Sequence, residues 1–428
     1  MAVFLDLPDE LLELIFAIAR VRYWNVDYAA GRMDVRLLLV QKSRLEPIVE
    51  KLFSAYIDGP PNGQDPLTYY ARLLLRPPEI KKAVRALMLD LPVDPRAALA
   101  CAALIAQLPS LEHLFISSSE PIPGDQTLVL PLGVLQACAT IRDLFRLEFW
   151  GRCVLPPGPL PPLPRLQVVR MYASSLDTGM SSYLAAAHIK RLHLYFSTQA
   201  DATFDAGPLA TVEDLVVEFL EPFFPDYFET LVCKLRRRFN ECSQDLELQS
   251  LTIDAPLCHY DVDLRWLNSL RRAPLRVLKL LFASARTLKY PQVTLPQLQR
   301  LVISACADLT EPTTLQDLLA FLKRLPKLKV FDLRAETLYK TKGRRQVSLS
   351  KALAPELSED ASELRAVVDC LQEKGTVEFC ARTNASPSEQ FFGLYTARAE
   401  QFLRWTRQGA DFKPSVFWDV LFEASSQA

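Results

Sequence analysis

Glycine is the conspicuous shortage: 13 in 428 residues, about 3% against a usual value near 7%. No two glycines stand two apart, so the G-x-G of a dinucleotide-binding turn is missing, and none stand five apart, so there is no phosphate-cradling P-loop. The one pair four apart, Gly59 and Gly63, brackets Pro61 rather than a serine, which removes the G-x-S-x-G nucleophile elbow. Dehydrogenase, P-loop kinase and serine-hydrolase chemistries are excluded together. A dominant charge is lacking as well. The formal net charge is -1, so no global field attracts nucleic acid or an anionic membrane. No run approaches the roughly 18 apolar residues of a membrane span.

The nine cysteines are odd in number and contain no C-x-x-C pair. That argues against a disulfide framework and against a cysteine-built zinc site, and it leaves reduced, mostly buried thiols. Only four histidines are present, His113, His188, His193 and His259. His188 and His193 lie five apart, where a helical zinc pair needs four with a glutamate between. Cys258 beside His259 is a conceivable metal corner, but a buried thiol next to a loop imidazole is the simpler reading. Asp261 and Asp263 have no spacing that demands acid–base catalysis. The expectation is a non-catalytic protein without cofactor or metal. Acidic residues at Asp6, Asp9, Glu10 and Glu13, where a secretory signal wants basic ones, point to the cytoplasm or nucleus. The sequon at Asn384 then has no glycosylation role.

What the chain does have is hydrophobic material, 50% of residues, arranged periodically. Leu11, Leu12, Ile15, Phe16 and Ala19 form one stripe of a 3.6-residue helix, with Pro8, Asp9 and Glu10 suited to its first turn. A second apolar run, Leu37 to Val40, leads through Lys42 and Ser43 to a third expected helix over Ile48 to Ile57, opened by Pro47. The order L-P-x-E-L-L-x-x-I-F, then L-V-x-K-S, then Leu52 and Phe53, resembles the F-box of ubiquitin-ligase substrate receptors. Arg44 stands where that family often has tryptophan. The resemblance implies that Leu7, Pro8, Leu11, Leu12, Ile15, Phe16, Leu39, Val40 and Ile48 dock a Skp-type adaptor, which bridges to a cullin. Physically this is an apolar helix set into a partner's groove. The alternative is an amphipathic helix packed on the protein's own core.

From residue 84 onward one pattern recurs: apolar, two others, apolar, one other, apolar. It begins at Val84, Leu111, Leu144, Leu166, Ile189, Val212, Leu248, Leu275, Leu298 and Leu328. The spacing scatters around the leucine-rich-repeat range of about 20 to 29 residues. Helical segments fall between, at Ala97 to Leu108, Ser181 to Ala187 and Thr313 to Leu325. Strand followed by helix in each repeat makes a curved solenoid with parallel strands. The repeat from Leu298 to Cys306 is similar to a cysteine-containing leucine-rich repeat, and the layout as a whole resembles fungal F-box proteins with divergent repeats. The expected fold is therefore α/β, with an F-box over 1–57, a linker helix region over 58–83, a leucine-rich-repeat-like solenoid over 84–380 and a helical cap over 381–428. The cap is read from Phe391, Phe392, Tyr395, Phe402, Leu403, Phe417, Trp418 and Leu421. Proline-rich breaks, including VLPPGPLPPLP from Val154, are expected to be extended rim loops. The basic run Lys340 to Arg345 is read as a solvated loop, with nuclear import as the sharper alternative.

Within each repeat strand, residues between the apolar ones point to the concave face. That places Arg146, Glu148, Trp150, Arg170, Tyr172, Arg191, His193 and Tyr195 in one patch, bordered by Asp214 and Glu218. Arginine and aromatic residues are frequent interface anchors, and the arginine fork suits carboxylate or phosphate, so the patch suits an acidic or phosphorylated segment of a target protein; the alternative is an ordinary solvated sheet face with Trp150 and Tyr172 packed under a rim loop. Two functions compete: the substrate receptor of an SCF-type ligase, and a leucine-rich scaffold or F-box protein working outside any ligase.

Overall fold

Three apolar positions per repeat account for the architecture. In the computed structural model the described residues are 56–57, 60, 65–91, 95–117, 128–150, 153–172, 178–196, 207–219, 232–233, 235–237, 239–241, 246–255, 261–282, 288–305, 312–335, 339–340, 346–347, 366–367, 369–371, 378–382, 388–392, 395–408 and 411–424. The expected adaptor-docking residues, Leu7 to Ile48, lie outside them.

The sheet has fifteen strands. Its parallel ladder runs β1 (Tyr56–Ile57), β2 (Ala86–Asp90), β3 (His113–Ser117), β4 (Arg146–Trp150), β5 (Val168–Tyr172) and β6 (Arg191–Phe196). It continues through β7 (Asp214–Phe219), β8 (Ser250–Asp254), β9 (Val277–Phe282), β10 (Arg300–Ala305), β11 (Val330–Ala335) and β12 (Glu378–Arg382). Each strand pairs with the next in chain order, as a repeat solenoid requires. The register never slips: Leu87, Leu114, Leu147, Val169, Leu192, Leu215, Leu251, Leu278, Leu301 and Phe331 form one continuous row. All ten are buried. A one-residue slip would carry a whole strand's leucines to the other face, so burial of this row locks the register.

From β2 to β10 the carbonyl just before each strand binds the next repeat twice. Gln249 O accepts from Arg276 N at 2.7 Å and Val277 N at 3.0 Å, and Gln299 O accepts from Lys329 N and Val330 N at 2.8 and 2.9 Å. Backbone groups at the strand starts are thus satisfied by the neighbouring repeat itself.

Helices cover one face: α1 (Pro66–Leu74), α2 (Pro78–Ala83), α3 (Pro95–Ala106), α4 (Leu132–Thr140), α5 (Thr178–Ala186) and α6 (Pro312–Lys323). The linker region therefore is helical, and it is tied to the solenoid: the Tyr70 hydroxyl of α1 accepts from Asp90 N at 2.7 Å and lies 3.0 Å from Asp90 O. Asp65 caps α1, its carboxylate accepting from Thr68 N at 2.8 Å. Between β4 and β5 the prolines of VLPPGPLPPLP forbid a helix. The segment is not a bare rim loop. Leu163 is buried, Leu155 and Leu160 pack against the core, and the Tyr183 hydroxyl donates to Pro161 O at 2.9 Å. Gly158 makes the bend with φ 112°, where a side chain would be strained.

Two boundaries depart from the sequence expectation. Tyr56 and Ile57, expected to end the third N-terminal helix, form β1 and pair parallel with Ala86 and Leu87. The expected helical cap is instead β13 (Ser388–Phe392), β14 (Tyr395–Gln408) and β15 (Asp411–Ala424), all antiparallel, with β14 closing on β12. Pro414 is accommodated because β15 pairs with β14 alone and is an edge strand.

Candidate recognition surface

The alternation that buries the leucine rows sends the residues between them to the opposite face of the sheet, away from the helices. In-register parallel pairing sorts these into three rows. The first holds His113, Arg146, Val168, Arg191 and Asp214; the second Phe115, Glu148, Arg170, His193 and Val216. The third, at the strands' C-terminal ends, holds Ser117, Trp150, Tyr172, Tyr195, Glu218 and Asp254. Every residue expected to meet a target, Arg146, Trp150, Arg170, Tyr172, Arg191, His193 and Tyr195, therefore falls on one face, on three adjacent strands.

Its electrostatics differ from the expectation of an open arginine patch. Glu148 is buried at 1% exposure in the centre of the arginines. Its Oε1 is 3.0 Å from His113 Nε2, in ion-pair contact with Arg146, and 3.6 Å from Arg170 Nη1. Burial alone would raise the Glu148 pKa, but the His113 hydrogen bond and the charges of Arg146, His113 and Arg170 outweigh it and hold the carboxyl below its usual range. His113 is pushed down by burial and by the two arginines, against the Glu148 bond. A neutral His113 can meet a carboxylate only by donating from Nε2. Two of the three predicted arginines are thus occupied within the face. Arg191 is exposed and forms no ion pair among the described residues.

A second cluster lies two strands along. His193 stacks on Tyr195 with ring centroids 3.9 Å apart, and its Nε2 is 3.2 Å from Glu218 Oε2. Burial again lowers the His193 pKa, against the Glu218 bond. Asp254, the in-register neighbour of Glu218, has its pKa raised to about 7, first by burial and then by the Glu218 charge. Phe115, 4.0 Å from His113 between ring centroids, and Tyr195 are buried although they lie outside the core, so the histidines rest on an aromatic layer.

Glu148 is on the face expected from alternation, and alignment of the repeats shows which residues flank it. Setting L-F-R-L-E-F above L-Q-V-V-R-M and I-K-R-L-H-L puts Glu148, Arg170 and His193 in one row. Asp254 follows its repeat's last apolar residue directly, as Asp90 does in the first. The histidine pair at 188 and 193 is not a metal site: His188 is exposed in the turn after α5 with φ 52°, while His193 lies in a strand. Among the described residues no group of three histidine, cysteine, aspartate or glutamate side chains is placed to hold a metal. Cys258 and His259 lie outside them. Burial pushes the Cys101 and Cys138 thiols up to about 12, which leaves them unreactive at neutral pH. Among the described residues no helix is long and apolar enough to cross a membrane.

Asp254 has a measurable consequence. Its folded pKa of about 7 exceeds the ordinary 3.8, so the folded state binds the extra proton and stability falls as pH rises between those values. Asp254→Asn removes this loss. At pH 8 the variant should be more stable than the parent by about 1 to 3 kcal/mol, and the gain should fade toward pH 4. Urea unfolding at several pH values tests this; an equal gain at pH 4 and pH 8 would count against it.

No protein-family model matches the chain, and no curated protein does so either. Among solved structures the chain is similar to TLR13 in a TLR13–ssRNA13 complex, at 17% identity and a TM-score of 0.35. The match covers 63% of this chain and 39% of that one, so the chain spans well under half of TLR13.

Proposed function

We propose that the chain is the substrate-recognition subunit of an SCF-type ubiquitin ligase, non-catalytic in itself. Its N-terminal segment docks a Skp-type adaptor, and through it a cullin, while the open face of the solenoid holds a target protein. The observation that carries the reading is the ordered motif from Leu7 to Phe53 standing directly before a repeat solenoid. The sheet face supports it, since a row of aromatic and charged side chains across adjacent strands suits protein recognition. The contribution to ubiquitin transfer is proximity: a target held near the transferring enzyme reacts at a raised effective concentration.

Affinity purification of the tagged full chain tests this. Cullin and adaptor should be recovered together, and both should be lost when Leu11 and Ile15 are replaced by alanine. Recovery of a target without any cullin would instead favour a scaffold working outside a ligase.

A further inference from the structure

The turns that lead into the strands form a rim of the solenoid, and in the earlier repeats the cations of that rim are neutralised by a neighbouring repeat. Arg85 pairs with Glu112 at 3.0 Å, Arg165 with Asp143 at 3.5 Å, and Lys190 with both Glu213 and Glu247 at 3.0 and 2.7 Å. Further along, the carboxylates stop and the cations do not. Backbone bonds carry the row from Glu213 on through Gln249, Arg276, Gln299 and Lys329, so the neighbours of Arg276 are amides where that of Arg85 is a carboxylate. Arg271 and Arg272, between the 3-10 helix Leu264–Leu270 and β9, join them, as do Arg300 at the start of β10 and Lys327 before β11. All six of these arginines and lysines are exposed, and none forms an ion pair among the described residues. Lys327 donates to Gln297 Oε1 at 2.9 Å, a neutral partner that leaves its charge uncancelled. The chain leading into β9, β10 and β11 is described without a break from 261, 288 and 312. Between β8 and β11 the residues outside those stretches have carboxylates only at Asp308 and Glu311, with the whole of α6 between them and Lys327 along the chain. Asp332 stands two strands from Lys279 in its row, and Glu378 two strands from Arg300 in its own.

We propose that the rim before β9, β10 and β11, with Arg276, Arg300 and Lys329 at its centre, seats an acidic segment of the recognised protein. This rests on the reading of the chain as a protein-recognition subunit. It keeps the acidic ligand that the arginines of the sequence suggest and moves its seat from the middle of the face to the edge. The reason is electrostatic: Arg146 and Arg170 already face the buried Glu148, whereas the rim cations have their charge to offer. Parallel strands lie about 4.8 Å apart, which sets Arg276 and Lys329 about 10 Å apart across β10, and an extended stretch of three or four acidic residues covers that span at about 3.3 Å per residue. The arginine forks make charge-assisted hydrogen bonds to carboxylates, and the amides of Gln249 and Gln299 can donate between them. A nucleic acid fits less well. From Gln249 to Lys329 the row has no aromatic side chain on which a base could stack, and a formal net charge of -1 gives no long-range field.

The test uses the full chain and two fluorescently labelled peptides, octaglutamate and octalysine, followed by anisotropy at pH 7 in low salt. Octaglutamate should bind, weaken as salt is added, and lose about fivefold or more in affinity to the Arg276→Gln/Lys329→Gln double variant. Arg276→Gln alone should give an intermediate loss and keeps the test open if the double variant folds poorly. The charge-matched variant Arg165→Gln/Arg191→Gln, which leaves this rim intact, should bind octaglutamate as the parent does. An equal loss in that variant, unchanged affinity in a folded rim variant, tighter binding of octalysine, or a preference for a single-stranded RNA octamer would each overturn the proposal. Adaptor recovery from the same preparations separates the two ideas. Adaptor binding with no rim effect removes only the acidic-segment proposal, and a rim effect without adaptor binding removes only the ligase reading.

Discussion

A chain carrying both Leu11→Ala and Ile15→Ala is expected to bind a Skp-type adaptor at least a hundredfold more weakly than its parent. Both residues lie on the apolar stripe with Leu7, Leu12 and Phe16. Burying a leucine or isoleucine side chain contributes roughly 1.5 to 3 kcal/mol before the costs of association are subtracted. Two truncations within that apolar stripe of the sequence should therefore lose about 3 to 4 kcal/mol, which is a hundredfold or more in Kd. Replacing Leu39, Val40 or Ile48 should cost less, because Arg44 breaks the family pattern beside them. Titration of purified adaptor checks the result, with thermal unfolding as the control for folding. A folded double variant that retains full affinity removes the adaptor-docking role from this segment.

The second large effect is expected at Glu148. Replacing it by glutamine keeps the shape but leaves Arg146, Arg170 and His113 around a neutral amide. Breaking a buried ion pair by removing one partner typically costs about 3 to 5 kcal/mol. The side chains of Arg146 and Arg170 retain 24% and 28% exposure, so water takes up part of that loss, and about 2 to 3 kcal/mol is expected. The cost should shrink at low pH. The folded carboxyl has a depressed pKa, so its stabilisation is present above the unfolded value and is lost as pH falls through the folded one. Urea titration at pH 7 should show a lower midpoint with an unchanged slope, the sign of altered stability rather than altered compactness. Arg170→Gln should cost less than Glu148→Gln, because Arg170 is the more distant partner and Arg146 still faces the carboxylate. A change of under about 0.5 kcal/mol in Glu148→Gln would show that the cluster does not hold the face together, since that is the size of ordinary surface effects.

The solenoid was legible because its signal is local and periodic. Three apolar positions in six residues specify a strand with one buried face, and Val84 through Leu328 recur often enough to specify stacking. Helices at Pro95–Ala106, Thr178–Ala186 and Pro312–Lys323 follow from runs of alanine and leucine bounded by proline, turns or polar residues. The C-terminal region was misread for the same local reason. In Tyr395–Gln408 the adjacent apolar pair Phe402 and Leu403, among alanine, glutamate and glutamine, fits a helix as well as a strand. Pairing of Phe402 with Phe417 and of Leu403 with Val416 decides for strand, and partners that far apart in sequence are invisible to a local pattern.

The face opposite the core shows where the sequence by itself stops. Alternation alone determined which side chains reach that face, because a strand has only two sides. Which of them neutralise one another was decided by tertiary register. Glu148 lies two residues from Arg146 along its own strand but meets His113 and Arg170 only because β3, β4 and β5 pair without offset. Glu218 and Asp254 are far apart in the chain, and the long connection between their strands gives no hint that they become neighbours. Composition and period thus determined a parallel repeat solenoid, whereas which charges pair across its surface depended on the three-dimensional stacking, since Coulomb energy follows distance in space and not separation along the chain.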